Sequence, residues 1–265
     1  MNVADREWVR FTRAERYARF TVFLCVGVLL AWSFRTVQVI PEFLMDAPHQ
    51  VSDLFQRMWP VDFGFYYEGV HASLVETLHI ATLGTLLTLV LALPVGVMAA
   101  RNVCRAPALN WLATFILVSS RSVNSLVWAM LFVAMFGPGT LAGVITIAVR
   151  SIGFVGKLFG EALEEAHSGP VEAMRAAGAP WVSIFLKAYW PQVSPAFWSI
   201  ALFRWDINVR ESSVIGLVGA GGIGVALDTA LNLFQWTRVS LVLVCIFAVV
   251  VLAEVLVTQI RKRII

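Results

Sequence analysis

Charged side chains are scarce in this sequence: 14% of 265 residues, where a soluble domain carries about a quarter. With 59% hydrophobic residues and a mean hydropathy of +0.78, the chain has too little polar surface to cover a globule in water. An ordinary soluble domain is excluded, and an integral membrane protein remains. Cysteine is also rare. Cys25 and Cys245 fall in predicted spans and Cys104 on a predicted cytoplasmic turn, so no disulfide is expected. A phosphate-binding P-loop is missing, because Lys157 in Gly153-Phe-Val-Gly156-Lys157-Leu158 lacks both the spacing and the following Ser or Thr. Any ATP, with its magnesium, must therefore be handled by another chain, and no cofactor is expected in this one. Nor does a pair of His, Asp or Glu recur at ligand or catalytic spacing inside the spans, which argues against a metal site and an intramembrane enzyme. The net charge of +3 and pI near 9.0 do not indicate nucleic acid, since the basic residues sit beside apolar runs and report topology.

Long apolar runs are what the chain has in abundance. Arg6, Arg10, Arg13, Arg16 and Arg19 precede the run Phe20 to Phe34, so a cytoplasmic N-terminal arm (residues 1–19) is followed by a first span. No small-residue cleavage site follows Trp32, and the run is expected to be retained rather than removed as a signal peptide. From Arg35 to Val70 acidic residues outnumber basic ones, as in a translocated loop, with Trp59, Tyr66 and Tyr67 at the headgroup level. Further spans are expected at Leu74–Ala100, about Ala108–Phe136, Thr140–Phe159, from Pro191 to about Gly216, and at Val239–Ile260. The basic end Arg261-Lys262-Arg263 places the C-terminus inside. An all-α polytopic protein with about six transmembrane helices results, residues 20–265 forming one transmembrane domain in contact with lipid.

Between the fourth and fifth spans lies a polar island, Glu161 to Pro191, within a loop over residues 160–191. It carries Glu164, Glu165, Glu172, Arg175 and Lys187 in an alanine-rich, helix-favouring context. Gly169-Pro170 can start a helix, and Gly178-Ala179-Pro180 can end one. The short helix Val171 to Ala177 between these breakers is the element a soluble partner would grip.

Several ionisable groups fall inside predicted spans: Arg121 with Asn124, then Arg150, then Arg204, Asp206, Asn208, Arg210 and Glu211. A charge in hydrocarbon costs on the order of 3 kcal/mol or more, so these groups face a cavity, a partner or each other. Arg204 or Arg210 can pair with Asp206 or Glu211 as a structural alternative. The remaining excess of guanidinium over carboxylate suits an oxyanion with forked hydrogen-bond acceptors. Gly219-Ala-Gly221-Gly222-Ile-Gly224 has the bare GxGxxG pattern, but no βαβ unit or following acidic residue accompanies it. A flexible turn between spans is expected there.

These residues resemble a known family. Glu172-Ala173, with Gly178 six positions after that Glu and Pro191 thirteen beyond, is similar to the EAA loop of ABC importer permeases, although Met174, Ala188 and Trp190 depart from its pattern. The segments Arg121-Ser-Val-Asn124, Gly156-Lys157-Leu158-Phe159, Gly169-Pro170-Val171-Glu172-Ala173 and Arg204-Trp-Asp-Ile-Asn208-Val-Arg210 through Gly224 look like the permease of phosphonate-type ABC importers. The likeness runs from Trp59 to the C-terminus. It implies a type I ABC importer permease fold in the bacterial inner membrane, a second permease copy, two ATPase subunits that bind ATP and magnesium, and an external solute-binding protein. It also implies ATPase coupling through Glu165, Gly169, Pro170, Glu172, Ala173, Arg175 and Gly178. The substrate pathway would involve Arg121, Asn124, Arg150, Arg204, Asn208, Arg210, Gly221 and Gly222. Ser125 stands where that family commonly has an acidic residue and Arg150 where histidine is usual, which leaves the substrate open. A permease for methionine or another small organic solute, or an ion-coupled secondary transporter, are the alternatives.

Overall fold

The computed structural model describes residues 12–37 and 40–264; Arg6 and Arg10 of the predicted arm lie outside the described residues. Two units are distinguished, Met1–Leu54 and Phe55–Ile265. In the first, α1 (Arg13–Thr36) opens with a reciprocal cap: Thr12 Oγ1 accepts from Glu15 N–H, and the Glu15 carboxylate accepts from Thr12 N–H at 3.0 Å. None of its residues is buried, as befits an apolar helix whose solvent is lipid. After it, where acidic balance predicts a loop, the structure has the 18-residue helix α2 (Pro41–Met58), which runs across the boundary between the units. Its apolar residues recur at helical spacing, a local signal that outweighs composition.

The second unit continues through a π turn (Tyr66–Val70) into α3 (His71–Ala99), followed by α4 (Pro107–Ser122), α5 (Ser125–Phe136) and α6 (Thr140–Glu164). Next come the short α7 (Ser168–Ala176) and α8 (Trp181–Ile184), which passes through a second π turn (Phe185–Tyr189) into α9 (Trp190–Ile215). A 3-10 turn (Gly216–Val218), α10 (Ile223–Asn232) and α11 (Trp236–Ile264) complete it. Among the described residues, α1, α3 with its π turn, α6 and α11 are each long and apolar enough to cross a membrane. Two further crossings arise if the bent pairs α4 with α5, and α8–α9 with α10, count as one each, which gives six.

The third predicted span is therefore not one helix from 108 to 136. It breaks at Val123–Asn124, both in extended conformation, and its halves meet at 94°. The break is made locally: Ser122 Oγ turns back to Val118 O at 2.6 Å, and Asn124 Oδ1 caps α5 by accepting from Leu126 N–H at 3.0 Å.

At the centre α3 packs on α6, and small residues set the approach. Lipid gives helices no hydrophobic reason to associate, so close van der Waals packing must hold them. A Cβ added to Gly96 would lie 2.9 Å from Gly156 O, and one on Gly160 would lie 3.2 Å from Gly96 O. Hydroxyls supply the second bond type. Ser120 of α4 donates to Val149 O of α6 at 2.5 Å and accepts from Gly153 N–H at 3.0 Å.

Candidate functional site

Two regions gather most of the residues singled out above. In the polar island, α7 begins at Ser168, before the predicted Val171, because a proline in the first turn has no intrahelical bond to lose. It ends as expected. Gly178 takes a positive φ of 72°, and Ala179 N–H closes onto Met174 O at 3.0 Å. One face of α7 is anchored: Val171, 3% exposed, belongs to a cluster with Ala100, Val103, Phe159, Leu163, Ile184, Ala188 and Tyr189, and Met174 packs against it. The opposite face, Glu172, Ala173 and Arg175, is exposed, as are Glu165, Gly169, Pro170 and Gly178. Gln192 of α9 fixes the entry to the helix, accepting from His167 N–H at 2.9 Å and donating to Ala188 O at 2.7 Å. Arg101 N–H on Glu164 at 2.8 Å and Asn102 Nδ2 on Leu163 O at 2.6 Å tie the α3–α4 turn to the end of α6. The result is a short helix held rigidly from behind and open in front.

The second region is a polar chain through α6, α9 and α3. Glu211 bridges two guanidiniums, Arg150 Nη1 at 2.6 Å and Arg204 Nη2 at 3.0 Å. Arg204, 3% exposed, also donates Nε–H to Ser151 Oγ at 2.8 Å. Ser151 in turn donates to Asn208 Oδ1 at 3.1 Å, and Asn208 Nδ2 donates to Thr85 Oγ1 at 2.8 Å. Arg204 and Asn208 thus face neighbouring helices rather than an open passage, and the structural pairing accounts for both. Arg210 is 49% exposed and pairs within α9 with the buried Asp206. Arg121 is exposed and makes no ion pair among the described residues. It lines a cavity of about 330 Å³ between α4 and α6, together with Arg101, Lys157, Glu161 and Glu164. Asn124 is exposed at the break, where its side chain is the α5 cap. Three of the four arginines are therefore answered by two carboxylates, Glu211 and Asp206, and Arg121 by none among the described residues.

The glycine turn between α9 and α10 lies against α3 and the start of α6. No strand occurs among the described residues, so the dinucleotide reading has no βαβ unit to occupy. Thr77 Oγ1 accepts from Ile223 N–H at 2.7 Å, and Glu76 accepts from Thr140 Oγ1 while facing Gly221. Glu76 is absent from the residues chosen above, although an ionisable group inside the span Leu74–Ala100 meets the same criterion that selects Arg121. Gly222 has φ 77° and ψ −169°, a region open in practice only to glycine, and a Cβ there would lie 2.7 Å from Thr77 Oγ1. Gly222→Ala is expected to cost about 1–3 kcal/mol of stability, read as a lowered thermal midpoint of the purified protein, with Gly27→Ala, where nothing lies within 4 Å, as the neutral control.

Residues 92–265 match the family described as binding-protein-dependent transport system inner membrane component. The chain is 38% identical to the phosphite transport system permease protein PtxC of Stutzerimonas stutzeri over 242 residues, 91% of this chain and 88% of that protein. To the phosphate-import permease protein PhnE of Mycolicibacterium smegmatis it is 34% identical over 95% of its own length, but it spans only 47% of that relative. Among solved structures, the inward-facing MetNI methionine ABC transporter superposes with a TM-score of 0.67, covering 77% of this chain and 100% of the matched one at 24% identity. That likeness shows the fold, the all-α type I permease arrangement of ABC importers. The match over most of the chain and the several apolar helices make this a multi-pass inner-membrane permease subunit and not an enzyme. By these matches the chain belongs to the binding-protein-dependent transport system inner membrane component family.

Proposed function

We propose that this chain is the permease of an ATP-driven importer for a small phosphorus oxyanion: phosphonate, phosphite or phosphate. The observation that carries the proposal is the surplus of guanidinium inside the spans, Arg121, Arg150, Arg204 and Arg210 against Glu211, Asp206 and Glu76. Arg121 and Arg210 present exposed charge, and Arg150 keeps an Nε–H without an acceptor. A tetrahedral oxyanion accepts several such donors at once, and in a site shielded from water those bonds are stronger than in bulk. The relatives named for phosphite and phosphate transport support the same substrate class.

Residues 20–265 act as one transmembrane domain with a coupling loop at 160–191, and both chain ends lie in the cytoplasm by the distribution of arginine and lysine. A second permease copy completes the passage, an external binding protein delivers the anion, and two ATPase subunits grip the exposed face of α7 through Glu165, Gly169, Pro170, Glu172, Ala173, Arg175 and Gly178. Nucleotide-driven closure of the ATPases pushes α7. The anchored face passes the movement to Phe159, Leu163 and Tyr189, hence to α6 and α9, which rock between inward and outward access. Arg121, Asn124, Arg150, Arg204, Asn208, Arg210, Gly221 and Gly222 lie along or directly behind the pathway.

Uptake of radiolabelled phosphite, phosphate and methylphosphonate by proteoliposomes holding the assembled importer and its binding protein tests this. Arg121→Gln removes an exposed charge and strands no partner, so assembly should be intact while uptake falls about 10-fold to 100-fold, the worth of one or two charge-assisted hydrogen bonds. Arg210→Gln alone would strand the carboxylate of Asp206; the double variant Arg210→Gln/Asp206→Asn keeps the region neutral and should lose uptake equally. Normal uptake in both, or competition by methionine in place of the phosphorus anions, would overturn the assignment.

A further inference from the structure

Helix α2 has no role in the scheme above, yet its sequence is strongly patterned. Phe43, Leu44, Ala47, Val51, Leu54, Phe55 and Met58 recur three or four residues apart and form one apolar stripe. Glu42, Asp46, His49, Asp53, Gln56 and Arg57, with the apolar Met45 among them, occupy the opposite side, where Gln50 Nε2 donates to Asp46 Oδ2 at 2.9 Å. The stripe is uncovered: Phe43 is 66% exposed, Leu44 73% and Phe55 68%.

Chain order restricts what can cover it. α1 is an apolar span whose last turns carry exposed Trp32 and Phe34, and the chain heads for its next span through exposed Trp59, Phe63 and Tyr67. Exposed aromatic side chains of this kind collect at the headgroup level. Leaving the membrane after α1 and re-entering at α3 puts both ends of α2 on one surface. Over 18 residues the helix is about 27 Å long, far more than a perpendicular excursion between two such points requires. The arginines before α1 and the acidic balance after it make the segment that holds α2 a translocated one, so that surface is the outer one.

We propose that α2 lies in the plane of the outer leaflet, its stripe sunk into the boundary between headgroups and acyl chains and its acidic side in water. The polar side carries no surplus of lysine or arginine, so attraction to anionic lipid is not the source of binding. Apolar burial is, and tethering by α1 makes insertion intramolecular, so a modest intrinsic affinity is sufficient. The helix thereby fixes the depth at which α1 stops.

The test uses the assembled importer with Cys25, Cys104 and Cys245 changed to serine. Single cysteines Ala47→Cys, Val51→Cys, His49→Cys and Gln56→Cys carry a bimane fluorophore in vesicles of phosphatidylethanolamine and phosphatidylglycerol, with or without brominated acyl chains. Bromolipid quenching at 47 and 51 is expected to exceed that at 49 and 56 by about threefold or more, with the opposite order for aqueous iodide. Equal quenching at all four positions, or iodide access at 47 and 51, would overturn the proposal. So would shielding of 47 and 51 from both quenchers, which would mean that a protein surface covers the stripe.

Discussion

Glu211→Gln is expected to destabilise the permease by about 3–5 kcal/mol, the effect of removing one member of a buried ionic group and leaving the rest uncompensated. Here the cost is raised by geometry, because one carboxylate serves both Arg150 and Arg204, at 2.6 and 3.0 Å. Arg204 cannot turn to water, being 3% exposed, and its remaining bond to Ser151 does not neutralise it. Arg150 is more accessible and can rehydrate, so Arg150→Gln should be the milder change. Thermal unfolding of the purified permease measures both. The double variant Arg204→Met/Glu211→Gln should recover much of the lost stability, since an apolar replacement for a buried pair is often neutral, without recovering uptake. An unchanged midpoint in Glu211→Gln would mean that the bridge holds nothing together.

Val171→Asp should abolish ATP-driven uptake while leaving the membrane helices folded. The substitution puts a carboxylate among Phe159, Leu163, Ile184 and Tyr189, of whose side chains only the Tyr189 phenol is a hydrogen-bond donor, and about 3 kcal/mol or more opposes keeping it there. The cheaper response is for α7 to leave the cluster, which it can do because only a nine-residue segment must move. Under the proposed coupling, an undocked α7 would still show Glu172 and Arg175 to an ATPase but would no longer push on α6 and α9. Binding and transmission are therefore separable. Glu172→Arg, on the exposed face, should weaken ATPase copurification with α7 still docked; Val171→Asp should speed amide exchange over residues 165–180 and uncouple ATP hydrolysis from uptake. If Val171→Asp transports normally, force does not pass through this contact.

Much of this fold is legible in the linear chain because the features that encode it are local. The apolar runs are long enough to cross a bilayer, and the helices follow them, from Arg13–Thr36 to Trp236–Ile264. The end of α7 is legible for a similar reason: only glycine readily takes the positive φ found at Gly178. Helix α2 was encoded just as locally, in the spacing of Phe43, Ala47, Val51 and Leu54, but the acidic balance of Arg35–Val70 points to a loop when read as composition. Glu76 was encoded too, as an ionisable group in a span.

What the sequence determined by itself is which segments are long and apolar enough to cross a membrane and where the polar island interrupts them, because transfer from water to lipid depends on side-chain composition over a window of one helix. The tertiary structure alone decided the rest: that Glu211 lies between Arg150 and Arg204, that Asn208 is spent on Ser151 and Thr85, and that Val171 rather than a charged neighbour anchors α7. Apart from Arg204 and Glu211, which share α9, these partners lie on different elements, and nothing in the pattern of one helix states which face of another it will meet. That depends on how closely two backbones can approach, as at Gly96 and Gly156, and so on the packing of the whole bundle.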